Sequence, residues 1–501
     1  MPEATGSSPV LHDDVYQRAL NARDPRFDGI FFVGIVTTRI YCRPVCPSRN
    51  ARPQNRQFFP SAAAAESAGF RPCLRCRPEL APGRALVDAV SRLAYAAAHR
   101  IGAGALNGHN VAHLARELAV SERHLRRALE RAIGVSPVEL AQTHRLLLAK
   151  RLLADTSLSI TQVAYAAGFQ SLRRFNSVFR ERYGMSPSDL RRVPRATAAS
   201  VDSTMRPASP SSDMLRLTLA YRAPFAWDVL TAGLSRDAMP GAEIVDGSRY
   251  ARTVKLGERT GIVMAEDAPA NRQVNIDVSS SLLPVLMPLL ARLRQLFDLD
   301  AEPTVIDAHL EQGGLGTLIR RRRGVRLPGA FDGFEVACQT LLRFSARSSA
   351  HAHGVARQVT TALGDPIDTG IPLLNRLAPS AGRIAEAGAT QLAQLGVPQR
   401  TAHAMATLAR MVSGGALRLE PGSDVGATRG ALMEIDGVSD RIATTIVMRA
   451  LYWPDAFPAS DPALLRAART TSPSRLRAQA ERWRPWRAYA ALHLWLYHED
   501  S

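Results

Sequence analysis

Cysteine is scarce in this chain, with five in 501 residues. Five are too few for a disulfide framework, and four of them fall as two close pairs, Cys42 with Cys46 and Cys73 with Cys76. Long apolar runs are missing as well. The best candidate, LLPVLMPLLARL from Leu282, is short and broken by prolines where a spanning helix needs about 20 apolar residues, so no membrane association is expected. The opening stretch, MPEATGSSPVLHDD, lacks the basic and apolar regions of a signal peptide, which makes a cytoplasmic protein the expectation. Acidic residues are outnumbered, 45 Asp plus Glu against 63 Lys plus Arg, for a formal net charge of +18. Such a balance favours a polyanionic partner, nucleic acid first.

A chain this long exceeds the size at which one hydrophobic core stays efficient, so several domains are expected. The first, residues 1–82, opens with IFFVGIVTTRIYC, whose aromatic and β-branched residues read as a strand of a small sheet. A short helix, SAAAAESAGF, then precedes RPCLRCRPE, which makes this piece small and α+β. Residues 84–194 turn helical and carry a repeat at an offset of 50 residues, SERHLRRALERAIGVSP from Ser121 and SLRRFNSVFRERYGMSP from Ser171. Each copy follows a short helix and a turn, so the segment reads as an all-α pair of helix-turn-helix units, their second helices capped by serine. Residues 195–213, rich in Ala, Ser and Pro without apolar periodicity, have the composition of a linker. Residues 214–300 hold strand-like runs, LRLTLAYR, YARTVKL and RQVNIDV, and form an α+β piece with a small sheet. Residues 301–501 read as all-α.

Cys-x3-Cys followed 27 residues later by Cys-x2-Cys lets two close pairs clamp one tetrahedral zinc ion, with Cys42, Cys46, Cys73 and Cys76 as ligands. Spacing alone equally allows a purely structural metal. The context FFVGIVTTRIYCRPVCPSR with AGFRPCLRCRP resembles the zinc domain of the Ada family, which repairs methyl phosphotriesters in DNA. The resemblance implies that Cys42 accepts the methyl group and that the other three cysteines serve as ligands. Bound zinc keeps such thiolates ionised at neutral pH. Methylation removes one negative charge from a surface facing phosphates and so raises DNA affinity, turning one repair event into a signal.

Two recognition helices in one chain can enter successive major-groove segments without dimerisation, so a monomer on double-stranded DNA is expected. On the first, Glu122, Arg123, His124, Arg126 and Arg127 are polar or basic; on the second, Arg173, Arg174, Asn176 and Arg180 are. Arginine suits guanine edges and phosphates, and asparagine suits adenine edges. For any one of these arginines a solvated surface is an equally good reading. AAGFQSLRRFNSVFRERYGMSPSDLRR resembles the AraC family DNA-binding domain. That resemblance implies promoter binding, transcriptional activation and RNA polymerase as a partner.

In the C-terminal half, YRAPFAWDVL, GVRLPGAFDGFE, LMEIDGVSDRIATTIVMRAL, DAFPASDPALLRAA and ERWRPWRAYAALHLWLY resemble the AlkA-type 3-methyladenine DNA glycosylases, which carry a helix-hairpin-helix and need no cofactor. The resemblance implies excision of alkylated purines, with Asp461 as the catalytic carboxylate and Trp495 stacking on the base. Asp461 before Pro462 also fits a helix N-cap. The hairpin, with Gly437 and Ser439 as candidate DNA contacts, departs from the family's glycine, apolar, glycine pattern. An acidic Asp440 near phosphate should cost affinity, and Ser439 cannot take glycine-only backbone angles. IRRRRGVRLPG, residues 319–329, reads either as a compensating phosphate site or as a solvated basic loop. Cys338 lies in a helical pattern and reads as a buried core thiol. The leading expectation is a fused alkylation-repair enzyme and regulator. Its rival is a transcription factor with structural zinc and a degenerate glycosylase-like DNA clamp.

Overall fold

The computed structural model describes residues 13–83, 92–192 and 213–499. The described residues divide into two compact units. One holds those up to Leu215 with 219–222 and 283–291; the other holds 216–218, 223–282 and 292–499. The linker expected at 195–213 lies almost wholly outside the described residues.

The first unit begins with α1 (Asp13–Ala22) and a four-stranded sheet of order β3-β1-β2-β4, from β1 (Phe32–Ile35), β2 (Ile40–Cys42), β3 (Arg56–Phe59) and β4 (Arg71–Pro72). The run read as one strand is therefore a hairpin. Arg39, with φ +55°, sits in the turn between β1 and β2, and Val33 pairs with Cys42 across it. Gly34 permits close packing, since a Cβ there would meet the Phe59 and Phe70 rings at 2.7 Å. Helix α2 (Ala62–Ser67) starts at Ser61, whose hydroxyl accepts from the Ala64 N–H.

Helices α3 (Arg92–Gly102), α4 (Val111–Glu117), α5 (Glu122–Ile133), α6 (Pro137–Asp155), α7 (Ile160–Ala166), α8 (Leu172–Tyr183) and α9 (Pro187–Arg192) follow. The 50-residue repeat is structural. Ser121 and Ser171 cap α5 and α8 through their hydroxyls, and Gly134 and Gly184 end them at φ +85° and +67°. A left-handed residue at a helix end favours glycine in both copies. Leu125, Leu129 and Ile133 bury one face of α5; Phe175, Val178, Phe179 and Tyr183 do so on α8. The 19-residue α6 joins the two helix-turn-helix repeats within this first unit and is about 28 Å long.

A second sheet has five strands in the order β5-β9-β8-β7-β6. Its strands are β5 (Met214–Ala220), β6 (Glu243–Asp246), β7 (Arg249–Leu256), β8 (Arg259–Ala268) and β9 (Gln273–Ser279). Three of these were legible as strand runs; β6 and β8 join them, and α10 (Trp227–Asp237) interrupts the series. Then come α11 (Leu286–Leu296), α12 (Pro303–Leu310), α13 (Gly316–Arg321), α14 (Gly333–Ser345), α15 (Ser349–Leu363), α16 (Ala381–Gln394) and α17 (Gln399–Ser413). The chain continues through α18 (Val425–Met433), α19 (Asp440–Ala450), α20 (Pro462–Ala467), α21 (Pro473–Ala480) and α22 (Arg487–Glu499). One apolar core gathers α14 to α19, with Cys338 buried in it; a second gathers α12, α13 and α20 to α22. No helix among the described residues is long and apolar enough to cross a membrane.

The hairpin between α18 and α19 corrects two expectations. Gly437 has φ +91° and needs to be glycine, but Ser439 lies at φ −78°, ψ 164° and caps α19 with its own hydroxyl. Serine is thus a preferred residue there, not a strained one. The charge of Asp440 is matched by Arg429, whose Nε donates to it at 3.1 Å, and Thr444 donates at 3.2 Å. The basic run is divided too. Arg326 is buried, its guanidinium 4.9 Å from the Phe225 ring centroid, so it belongs to the core and not to a phosphate-binding loop.

Candidate functional site

The parallel pairing of β2 with β4, Tyr41 opposite Pro72, brings the two cysteine pairs together although they are 27 residues apart in sequence. Cys42 ends β2, and the Cys73 N–H donates to the Tyr41 carbonyl at 3.0 Å. The four Sγ atoms lie within 4.8 Å of one another. Tetrahedral zinc at about 2.3 Å from each sulfur sets them about 3.8 Å apart, so the set fits one ion. Cys46, Cys73 and Cys76 are buried, whereas Cys42 is half-buried. Arg43 fixes the loop: its backbone N–H donates to the Cys76 Sγ at 3.4 Å, its Nη1 donates to the Cys76 carbonyl at 3.2 Å, and its Nε pairs with Asp28 at 2.8 Å.

Sequence reasoning missed the buried polar contacts that tie this domain to the helices after it. Tyr41, next to Cys42, donates to the Glu66 carboxylate at 3.0 Å, and Thr143 on α6 donates to its other oxygen at 3.1 Å. Arg182 on α8 stands 3.6 Å from the same carboxylate. Burial pushes the Glu66 carboxyl up to about 7, although Arg182 and the two hydroxyls oppose the shift. Lys150, one of only two lysines in the chain, forms a buried pair with Glu79 at 2.5 Å. Arg77 reaches Glu79 at 3.0 Å and Asp155 at 2.7 Å. A glutamate inside an alanine-rich helix was the available signal.

Arg123, Arg126 and Arg127 on α5 and Arg173, Arg174 and Arg180 on α8 are all exposed; Asn176 is half-buried. Arg173, Asn176 and Arg180 line one open face of α8 with Ser177. None of these side chains is drawn into the core, which leaves them available to a groove.

In the second unit Asp461 is the N-cap of α20 and is buried. Its Oδ1 accepts from the Ala463 N–H at 2.9 Å, the Leu464 N–H at 3.1 Å and the Trp495 indole Nε1 at 3.1 Å. Capping and proximity to Trp495 thus occur together. The structure also brings in residues that the sequence did not suggest. Arg441, on the first turn of α19, stands 3.5 Å from Asp461 Oδ2 and lies over the Phe344 ring at 4.3 Å. Gly437 and Ser439 precede the same helix, so the hairpin and Asp461 share α19 as their support.

Three family models match this chain: the metal binding domain of Ada over residues 15–79, a helix-turn-helix domain over 114–193, and the AlkA N-terminal domain over 216–332. Together with the fold they define a DNA-acting protein that joins a zinc-thiolate domain and a double helix-turn-helix to a glycosylase-type unit. The chain is 36% identical over 492 residues to the probable bifunctional transcriptional activator/DNA repair enzyme AlkA of Mycobacterium tuberculosis, covering 97% of each chain. It belongs to that family of bifunctional activators and repair enzymes, and it holds one zinc ion on the four cysteines. It is also 31% identical over 278 residues to DNA-3-methyladenine glycosylase 2 of Escherichia coli, covering 56% of this chain and 96% of that one. With the bifunctional enzyme Ada of Escherichia coli it shares 32% identity over 182 residues, covering 36% of this chain and 49% of that one.

Proposed function

We propose that this protein repairs alkylated DNA by two separate chemistries and uses the first to switch on transcription. The carrying observation is that four thiols cluster within 4.8 Å of one another and that Cys42 is a half-buried residue while the other three are buried. Zinc on these sulfurs supplies ionised thiolates at neutral pH. Cys42 Sγ forms a bond to the methyl carbon of a phosphotriester as the methyl C–O bond breaks. The bonding pair leaves on the phosphate oxygen and restores a diester anion. Cys42 becomes a thioether, and the site changes from about −2 to about −1, which weakens its repulsion of DNA phosphates. Because Tyr41 and Glu66 connect Cys42 to α6 and α8, the altered domain presents Arg123, Arg126, Arg127, Arg173, Arg174, Asn176 and Arg180 to promoter DNA. Two recognition helices in one chain support action as a monomer, and activation at a promoter implies RNA polymerase as the partner in the cytoplasm.

The C-terminal unit releases alkylated purines such as 3-methyladenine. Gly437 and Ser439 offer main-chain N–H groups to the phosphate backbone, and Asp461 stabilises the oxocarbenium-like sugar as the glycosidic bond of a flipped base breaks. Trp495 orients Asp461 and borders the base. One observation favours a second reading for this unit alone, a clamp without base release: Arg441 already faces the free oxygen of Asp461. Zinc-loaded protein incubated with methylated DNA tests all of this. A methyl group mapped to Cys42 by mass spectrometry, and purine release lowered at least about 100-fold in Asp461→Asn, are the expected results. Methyl groups elsewhere would refute the first claim; release equal in Asp461→Asn would refute the second.

A further inference from the structure

We propose that Arg400, Arg429 and Arg477 form a side-chain site for DNA phosphates around the hairpin between α18 and α19, so that this chain grips the duplex through guanidinium charge as well as main-chain N–H groups. The inference deepens the reading of that hairpin as a DNA contact and rests on it.

The need for such a site comes from the hairpin's own charge. Glu434, Asp436 and Asp440 place three carboxylates within seven residues, on a turn that must approach a polyanion. Asp440 has a local reason to be there, since it occupies the first turn of α19, where a negative charge suits the helix dipole. Taken alone, the turn would still repel phosphate.

Three other helices bring the opposite charge to it. Arg400, on the first turn of α17, packs its stem against the hairpin: a Cβ on Gly437 would meet the Arg400 Cγ at 3.3 Å. Its Nη2 donates to Asp436 at 2.7 Å. Arg429 on α18 donates from Nε to Asp440 at 3.1 Å and to the Thr444 hydroxyl at 3.4 Å. Arg477 on α21 stands 3.9 Å from the other Asp440 oxygen.

The guanidiniums are placed but not consumed. Arg400, Arg429 and Arg477 remain 73%, 42% and 58% exposed, and each meets its carboxylate with only part of its fork of N–H donors. Exposed ion pairs of this kind add little to folding, so sharing a guanidinium with a phosphate oxygen costs the fold little. Phosphate suits the same fork. The carboxylates thus act as holders: Asp440, which by itself opposes DNA, keeps two arginines where DNA can meet them.

The test uses the full zinc-loaded chain in single turnover on methylated duplex DNA between about 50 and about 200 mM salt, recording the protein concentration for half-maximal purine release and the maximal rate. Arg400→Gln, Arg429→Gln and Arg477→Gln are each expected to raise the half-maximal concentration and to lower its log–log salt dependence by about 1, with the maximal rate within about twofold of the parent. The double variant of the two most exposed arginines, Arg400 and Arg477, is expected to lose about 2 from that slope. Arg400→Lys, which keeps the charge, is expected to keep the parent's slope. An unchanged slope in the double variant overturns the site, as does a loss confined to the maximal rate. Gly437→Ala, which strains the hairpin at φ +91°, separates the proposal from the reading beneath it. If it raises the half-maximal concentration and the double variant does not, the hairpin contact stands and the arginine site falls; if neither does, both fall. A parent that releases no purine refutes the glycosylase reading alone, and the same slopes are then read from binding to a duplex holding a tetrahydrofuran abasic site, where an unchanged slope in the double variant overturns the arginine site.

Discussion

The two candidate reactive groups, a thiol in the first unit and a carboxylate in the second, are held in opposite ways. Cys42 is the half-buried member of a set whose other three cysteines are buried, and its sulfur belongs to a cluster fit for one metal ion. Asp461 is closed: one oxygen caps a helix and accepts from Trp495, and the other faces Arg441. A group used once needs only access and an ionised state. Substitutions that separate these two designs should therefore affect one unit and spare the other.

The largest separation is expected from Cys73→Ser. Zinc retention falls from one ion to none by elemental analysis, and methyl transfer to Cys42 disappears. Purine release by the same preparation stays within about twofold of the parent, because no residue near Asp461 depends on the metal. Loss of both activities together would show that the two units are not independent, and the comparison would break.

Legibility in the sequence followed how local each constraint is. The cysteine spacing and the serine caps at Ser121 and Ser171 follow short-range rules, and each appears in the fold where those rules place it. The hairpin was misjudged because a rule for glycine was applied to Ser439, where the backbone is extended and a cap is wanted. Arg441, Glu66 and Lys150 were missed for a different reason. Each is an ordinary polar residue on a helix until the fold supplies a partner: Asp461 is 20 residues from Arg441, Thr143 is 77 from Glu66, and Glu79 is 71 from Lys150. No periodicity encodes such meetings.

A smaller and more local effect is expected from Lys150→Met. It leaves the buried Glu79 with Arg77 as its remaining cationic partner, and breaking a buried pair from one side costs about 3 kcal/mol. Hydrogen exchange should rise in α6 and in the turn at Pro78–Leu80, with zinc retained and purine release unchanged. Exchange that stays at the parent level in both segments would mean that the ion pair does not fasten the zinc domain to the helices, and the coupling drawn through α6 would lose its support.

The smallest effect concerns pH and distinguishes the two units most finely. Burial raises the Glu66 carboxyl to about 7 from an ordinary 4.5. Between those values the folded protein binds more protons at this residue than the unfolded chain does, so its contribution to stability is full below about 4.5 and is lost as pH rises through about 7. Glu66→Gln carries no proton to lose. Hydrogen exchange in α2 and α6 should therefore grow faster from pH 5 to pH 8 in the parent than in Glu66→Gln, after correction for the intrinsic rate, while α19 and α20 show the same pH dependence in both proteins. Equal slopes in α2 and α6 would mean that Glu66 does not titrate in this range. A slope that also changed in α19 or α20 would mean that the effect belongs to the whole chain and not to the joint between the zinc domain and its DNA-reading helices.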